Sequence, residues 1–232
     1  MLALRLFRER MFRIANVVQF CSTASLAGVT FLMPLFLQQL HGLSAADSGF
    51  LTFWSAIGMV VASQIAGRLY HSVGPRRLLL SGLSAMVVIS SSFMAFSEQT
   101  GLWVMGVLLF LRGLALGFIV VPLMTASFAN VTVADTGRAA SITSVARQVS
   151  ASLGVAITGT AFAEALQVFG GGDGDGAPSA TLPAYRVAFF VIFLLAVVAT
   201  SSALLIRDRD AVSTMRRRAP SEQSSASLAL LD

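Results

Sequence analysis

The 232-residue sequence has no lysine, one cysteine, two histidines and few charges, with charged residues making up 12% of the chain. A soluble domain carries about twice that charged fraction. Each scarcity excludes something. Cys21 has no second cysteine to pair with, so no intrachain disulfide closes and no thiol cluster holds a metal. His41 and His71 stand at opposite ends of one apolar run and cannot share a site. No HExxH, GxSxG or phosphate-binding glycine loop occurs, and no acidic pair sits in the middle of an apolar run. The chain therefore reads as a non-enzyme with no cofactor and no metal site. Asp173 and Asp175 lack the EF-hand spacing and its closing Glu, so they read as part of a solvated linker.

What the sequence does have is apolar length, with 56% hydrophobic residues. One soluble core cannot hide that much, whereas lipid can. A helix needs about 20 mostly apolar residues to cross hydrocarbon. Six runs qualify: Ile14 to Leu37, Gly49 to Leu69, Leu78 to Phe96, Leu102 to Met124, Ala139 to Leu166 and Tyr185 to Ile206. The expected fold is an all-α integral membrane protein, a six-helix transmembrane bundle over residues 14–206. Residues 1–13 form a cytoplasmic lead-in. That segment does not read as a signal peptide, because the apolar run behind it is too long and further runs follow. Residues 167–184 hold the Gly/Asp-rich stretch GGGDGDGAP and form an outer loop, and 207–232 form a Ser-rich disordered tail. The fifth run, with its Ser, Thr, Arg147 and Gln148, is the span least secured by hydropathy.

The basic residues give an orientation. With the N-terminus inside, the inner segments hold Arg5, Arg8, Arg10, Arg13, Arg68, Arg76, Arg77, Arg138 and the arginines from Arg207 to Arg218, while the outer segments hold only Arg186. That bias places both termini in the cytoplasm and the chain in the cell membrane as a multi-pass protein. Arginines that flank apolar runs set topology, so the positive net charge does not indicate nucleic acid.

Small residues recur at helix-contact spacing: Ala24 with Gly28, Gly58 with Ala62 and Ala66, Gly113 with Gly117, and Ser150 with Gly154. Such spacing lets helix backbones approach closely. Arg112 and Arg147 lie deep inside runs, where a charge is costly and must face a partner or a wet cavity. Both are expected to face the bundle interior, either as interhelical locks or as substrate or coupling residues. Gln148 and Gln19 are further candidates for substrate contact. Gln19 also reads, with Asn16 and Gln64, as a packing hydrogen bond.

The turn between the second and third runs reads Gly67-Arg68-Leu-Tyr-His71-Ser-Val-Gly74-Pro75-Arg76-Arg77. This resembles the short cytoplasmic loop signature of the major facilitator superfamily. Gly67 is expected to allow tight packing, Gly74 to make the turn and Pro75 to start the next helix. His71 stands where the family pattern has Asp, so the resemblance does not carry that acid's gate-latching role to this chain. Met33-Pro34 through Gln38-Gln39 and Gly42 to Gly49, Leu111-Arg112-Gly113 through Gly117 to Pro122, and Ser144 through Arg147-Gln148 to Gly154 resemble, in order, the carboxyl-terminal half of fourteen-span drug:proton antiporters. The resemblance covers about Leu4 to Ile206. It implies multidrug efflux: proton-driven antiport of small hydrophobic, often cationic, drugs across a lipid bilayer, with antibiotic resistance as the outcome. It also implies that a second six-span bundle, from another copy or a separate chain, completes the transporter. The membrane acids of the family belong to its other half, so the proton carrier has no residue in this sequence. The alternative reading is a non-transporting membrane assembly or regulatory protein, or a fragment of a longer gene.

The topology has a direct test. In a Cys21→Ser background, Ser179→Cys should react with an impermeant thiol reagent from outside intact cells, and Ser221→Cys should not. The reverse pattern excludes the orientation.

Overall fold

A computed structural model describes residues 10–97, 99–128, 136–170 and 178–204, of which 10–13, 15, 71, 75, 125–128, 136, 138–139, 170 and 178–180 are described by backbone alone. Of the lead-in expected over 1–13, residues 10–13 are already helical; residues 1–9, the centre of the Gly/Asp stretch and the tail lie outside the described residues. So do the side chains of His71 and Pro75. Within the described residues the fold is all helical: α1 (Arg10–His41), α2 (Ala45–Val73), α3 (Pro75–Phe93), α4 (Leu102–Phe128), α5 (Thr136–Gly170) and α6 (Pro178–Leu204). The loop expected over 167–184 is helical at both ends, because α5 runs on to Gly170 and α6 opens at Pro178. Proline suits a first helical turn, where its missing N–H costs nothing.

Five helices are long and apolar enough to cross a membrane, over Asn16–His41, Ala45–Tyr70, Leu102–Met124, Ala140–Phe169 and Thr181–Leu204. The run that falls short is the third, not the fifth. α3 has 19 residues, opens on Arg76 and Arg77, and carries Ser81, Ser84, Ser90, Ser91 and Ser92. The structure reduces the cost of that polarity. The hydroxyls of Ser81, Ser84, Ser91 and Ser92 each donate to a carbonyl of the preceding turn, at 2.7–3.1 Å. A hydroxyl bonded within its own helix presents less unsatisfied polarity to lipid.

The connections are tight. α1 ends in a Schellman turn: Gly42 adopts φ 63°, and the Leu43 N–H donates to the Leu37 carbonyl at 3.3 Å. Ser44 then caps α2, accepting from the Asp47 N–H at 3.1 Å and donating to the Asp47 carboxylate at 2.7 Å. Gly74 alone joins α2 to α3 at φ 88°, a conformation that favours glycine, as the sequence leads one to expect.

The main helix pairings are α2 with α4, α1 with α5, α1 with α6, α3 with α4, α5 with α6 and α3 with α6. Exchanging α1 with α4, α2 with α5 and α3 with α6 turns the α2–α4 pair into α5–α1 and the α3–α4 pair into α6–α1. The bundle is thus two similar three-helix units. Each holds an odd number of helices, so the second unit starts from the opposite side of the bundle and is inverted.

Small residues make the two equivalent crossings. Between α2 and α4, a Cβ on Gly58 would overlap the Phe110 carbonyl, one on Gly113 the Ser55 carbonyl, and one on Gly117 would lie 2.5 Å from Ala62 Cβ. Between α1 and α5, a Cβ on Gly154 would lie 2.5 Å from Ala24 Cα, and one on Gly28 the same distance from Thr158 Oγ1. Gly67 departs from expectation, since a Cβ there would meet nothing within 4 Å. Its helix face is exposed, so it supports no tight packing within the bundle.

Gly113→Ala and Gly154→Ala should each destabilise the purified protein by about 1–3 kcal/mol, the usual cost of overpacking. Gly67→Ala should leave it unchanged or stabilise it by about 0.5–1 kcal/mol. Thermal and denaturant unfolding in one detergent measures all three, and equal effects would contradict the crossing geometry.

Candidate functional site

Arg112 is the largest side chain fully enclosed by the bundle, only 1% exposed. It lies in the middle of α4, and its Nη2 donates to the Ser25 carbonyl of α1 at 3.0 Å. Its Nε has no hydrogen-bond partner among the described residues, and neither do the buried hydroxyls of Ser22 and Ser25 on α1, Ser90 on α3 or Thr158 on α5. Arg112 therefore does face the bundle interior, as its depth requires, and it joins the corresponding helices of the two inverted units. It has no carboxylate partner. Asp47 and Glu164 are the only acids among the described residues, and both are exposed near the end of the bundle away from Gly74.

Arg147 is placed differently. Expected to point inward, it is exposed on α5, and its Nη2 meets the sulfur of Met124 at 3.7 Å. It lies three, seven and eleven residues before Ser150, Gly154 and Thr158, so it shares the stripe of α5 that packs against α1, yet it remains exposed toward the Gly74 end. Gln148 is exposed beside it. Gln19 is partly buried, and its Nε2 donates to Thr23 Oγ1 one turn along α1 at 2.7 Å, which is a local packing bond. The structure thus does not bring the four candidates together. Arg112 is enclosed, Arg147 and Gln148 are exposed side chains of α5, and Gln19 bonds within its own helix. At the Gly74 end, Arg68 and Arg77 are exposed and Arg76 is half-buried.

Two features escaped the sequence reading. At the end away from Gly74, Phe36 packs on His41, Phe96, Tyr185 and Phe189, with ring centroids 5.1–5.9 Å apart. Tyr185 also donates to Gln39 Oε1 at 2.6 Å, and Phe162 stacks on it at 4.6 Å. This aromatic plug ties α1, α5 and α6 to the turn after α3. The second feature is an open apolar groove of about 420 Å³ between α2 and α4, walled by Phe50, Trp54, Trp103 and Phe110. Aromatic residues clustered near run ends were the available signal, but their convergence depends on helix rotation.

The family model described as Major Facilitator Superfamily matches residues 15–231. The chain belongs to the major facilitator superfamily. It is similar to an uncharacterized MFS-type transporter, YhcA, of Bacillus subtilis (strain 168), with 28% identity over 162 residues, 70% of this chain and 30% of the relative. It is likewise similar to the riboflavin transporter RibZ of Clostridioides difficile (strain 630), with 28% identity over 163 residues, 70% of this chain and 36% of the relative. A third is the putative multidrug resistance protein MdtD of Serratia proteamaculans (strain 568), with 28% identity over 159 residues, 68% of this chain and 33% of the relative. The chain spans about a third of the length of these relatives. Members of the superfamily are transporters and not enzymes, and this chain is a multi-pass membrane protein of that transport family.

An arginine buried without a counter-charge is a poor stabiliser, and replacing such groups by apolar ones is often neutral or stabilising. Arg112→Leu should therefore unfold at the same temperature as the parent or higher, while lowering transport by the assembled protein. Thermal unfolding in detergent, paired with an efflux assay, checks this. A large drop in unfolding temperature with transport intact would make Arg112 a structural lock instead.

Proposed function

We propose that this bundle is one half of a secondary exporter of small hydrophobic molecules, driven by the proton gradient and completed by a second six-helix bundle. The second bundle is another copy, a separate chain or a further part of the same polypeptide. The observation that carries the reading is the exposed polar face of α5. Ser144, Arg147 and Gln148 are exposed on a helix apolar enough to span the membrane. An Arg left to lipid inside the hydrocarbon core costs up to about 3 kcal/mol on insertion scales. A second bundle around a watery path relieves that cost, and transporters of inverted-repeat architecture bind substrate near the midplane at such interfaces. The names of relatives, a riboflavin transporter and a multidrug resistance protein, support small organic molecules as cargo. The cell membrane as location and cytoplasmic termini remain part of the proposal. So do six crossings, with α3 as the third. The proton carrier is assigned to the second bundle, because no described span holds a central carboxylate. The cationic character expected of the cargo finds no support for the same reason.

Reconstitution into vesicles with an imposed proton gradient tests the reading, with riboflavin and Hoechst 33342 as reporters. Gradient-driven movement is expected only when two bundles associate, as a cross-linked dimer or with a partner supplied. Movement by a chain shown to be monomeric would overturn the half-transporter reading. No movement in any assembly state would favour a non-transporting membrane protein.

A further inference from the structure

We propose that the exposed polar residues of α5 nearer the Gly74 end recognise an anionic group, and that the molecule this bundle handles is an amphiphile carrying a single carboxylate. The inference rests on the transporter reading and narrows its substrate class.

Five polar side chains are exposed along this stretch: Ser141, Ser144, Arg147, Gln148 and Ser152. The hydroxyls of Ser141 and Ser152 turn back to the carbonyls of Gly137 and Gln148, at 3.0 and 3.1 Å. Ser144, Arg147 and Gln148 remain to face a ligand. Their spacing of three and four residues sets them side by side on the helix. The Arg147 guanidinium offers five donors in a planar fork, and its one partner is the Met124 thioether at 3.7 Å, a weak acceptor.

Among the described residues, no neighbouring acid answers that charge. Asp47 is held by Ser44 at the first turn of α2. Glu164 lies further along α5, roughly 25 Å from Arg147 along the axis at the helical rise. Arg112 adds charge of the same sign and is engaged by the Ser25 carbonyl. The described spans therefore present positive charge with no acid at that depth, and low-dielectric walls concentrate such a field. A carboxylate accepts the guanidinium fork in two parallel bonds, with the Gln148 amide and the Ser144 hydroxyl able to donate beside it. A cationic drug meets repulsion at the same place.

The test uses the purified 232-residue chain in detergent, with dansylglycine, its methyl ester and a dansyl trimethylammonium analogue titrated by fluorescence. Dansylglycine should bind about tenfold more tightly than the other two, as one charge-assisted fork allows. Arg147→Gln should erase that margin, Arg147→Lys should keep part of it, and Arg147→Glu should reverse the order toward the trimethylammonium probe. All three variants should elute as the parent does, since Arg147 is exposed. Equal or tighter binding of the cation by the parent, or a tenfold margin that survives Arg147→Gln, overturns the anion assignment and leaves the transporter reading standing. Failure of all three probes to bind overturns the inference, whereas the transporter reading stands or falls with movement in the paired-bundle vesicles. In lipid nanodiscs, replacing phosphatidylcholine by phosphatidylglycerol should leave dansylglycine affinity unchanged. Its loss would assign Arg147 to lipid phosphate and overturn the inference.

Discussion

Close approach of helix backbones at two equivalent crossings is the constraint on which the bundle depends. Hydrocarbon supplies no hydrophobic drive to bring apolar helices together, so contact itself must hold them. At Gly113 on α4 and Gly154 on α5 there is no room for a methyl group, and the facing backbones of Ser55 and Ala24 fill the space. These contacts fix the rotation of α4 and α5 about their own axes. Helix rotation in turn decides which polar groups are enclosed. Arg112 adjoins Gly113, and its guanidinium reaches the Ser25 carbonyl of α1. On α5 the stripe of Ser150, Gly154 and Thr158 packs against α1, and Arg147, further along the same stripe, stays exposed toward the Gly74 end.

The same geometry divides polarity into two kinds. Inside, an arginine and several hydroxyls are enclosed with few partners, which makes them expensive and keeps them few. Outside, on α5, polar side chains stand at a depth where lipid would be a poor solvent. The first kind links the two inverted units, and the second gives the bundle a face that needs company. Apolar surface is not confined to one side, and Trp54, Trp103 and Phe50 border an open groove between α2 and α4.

Much of this was legible in the sequence. The six helices follow from the apolar runs, and the turn between α2 and α3 follows from Gly74, whose local chemistry permits few alternatives. The crossing residues were legible as small-residue spacings, because a glycine's missing side chain acts wherever the helix lies. Depth was legible for Arg112 and Arg147 alike, but enclosure was not. Enclosure depends on how closely neighbouring helices approach at each level, and that emerges only from packing. The weak third span was also hidden, because Arg76, Arg77 and the serines dilute a run that looks apolar at its centre. Gly67 was given a packing role by resemblance, and the exposed α2 face around it supplies no neighbour.

The unequal lengths of the helices have a mechanical consequence. α3, with 19 residues, measures about 28 Å at the helical rise, whereas α5, with 35, measures about 52 Å. A bilayer's hydrocarbon core is about 30 Å thick. One membrane cannot match both lengths upright. The long helix must tilt or project into the headgroups, while the short one draws the nearby leaflets inward. Such hydrophobic mismatch couples the bundle to acyl-chain length: a thicker membrane strains the α3 side first, and a thinner one increases the tilt of α5. The lipid around this chain is therefore part of its energetics, acting unevenly on two sides of one small bundle.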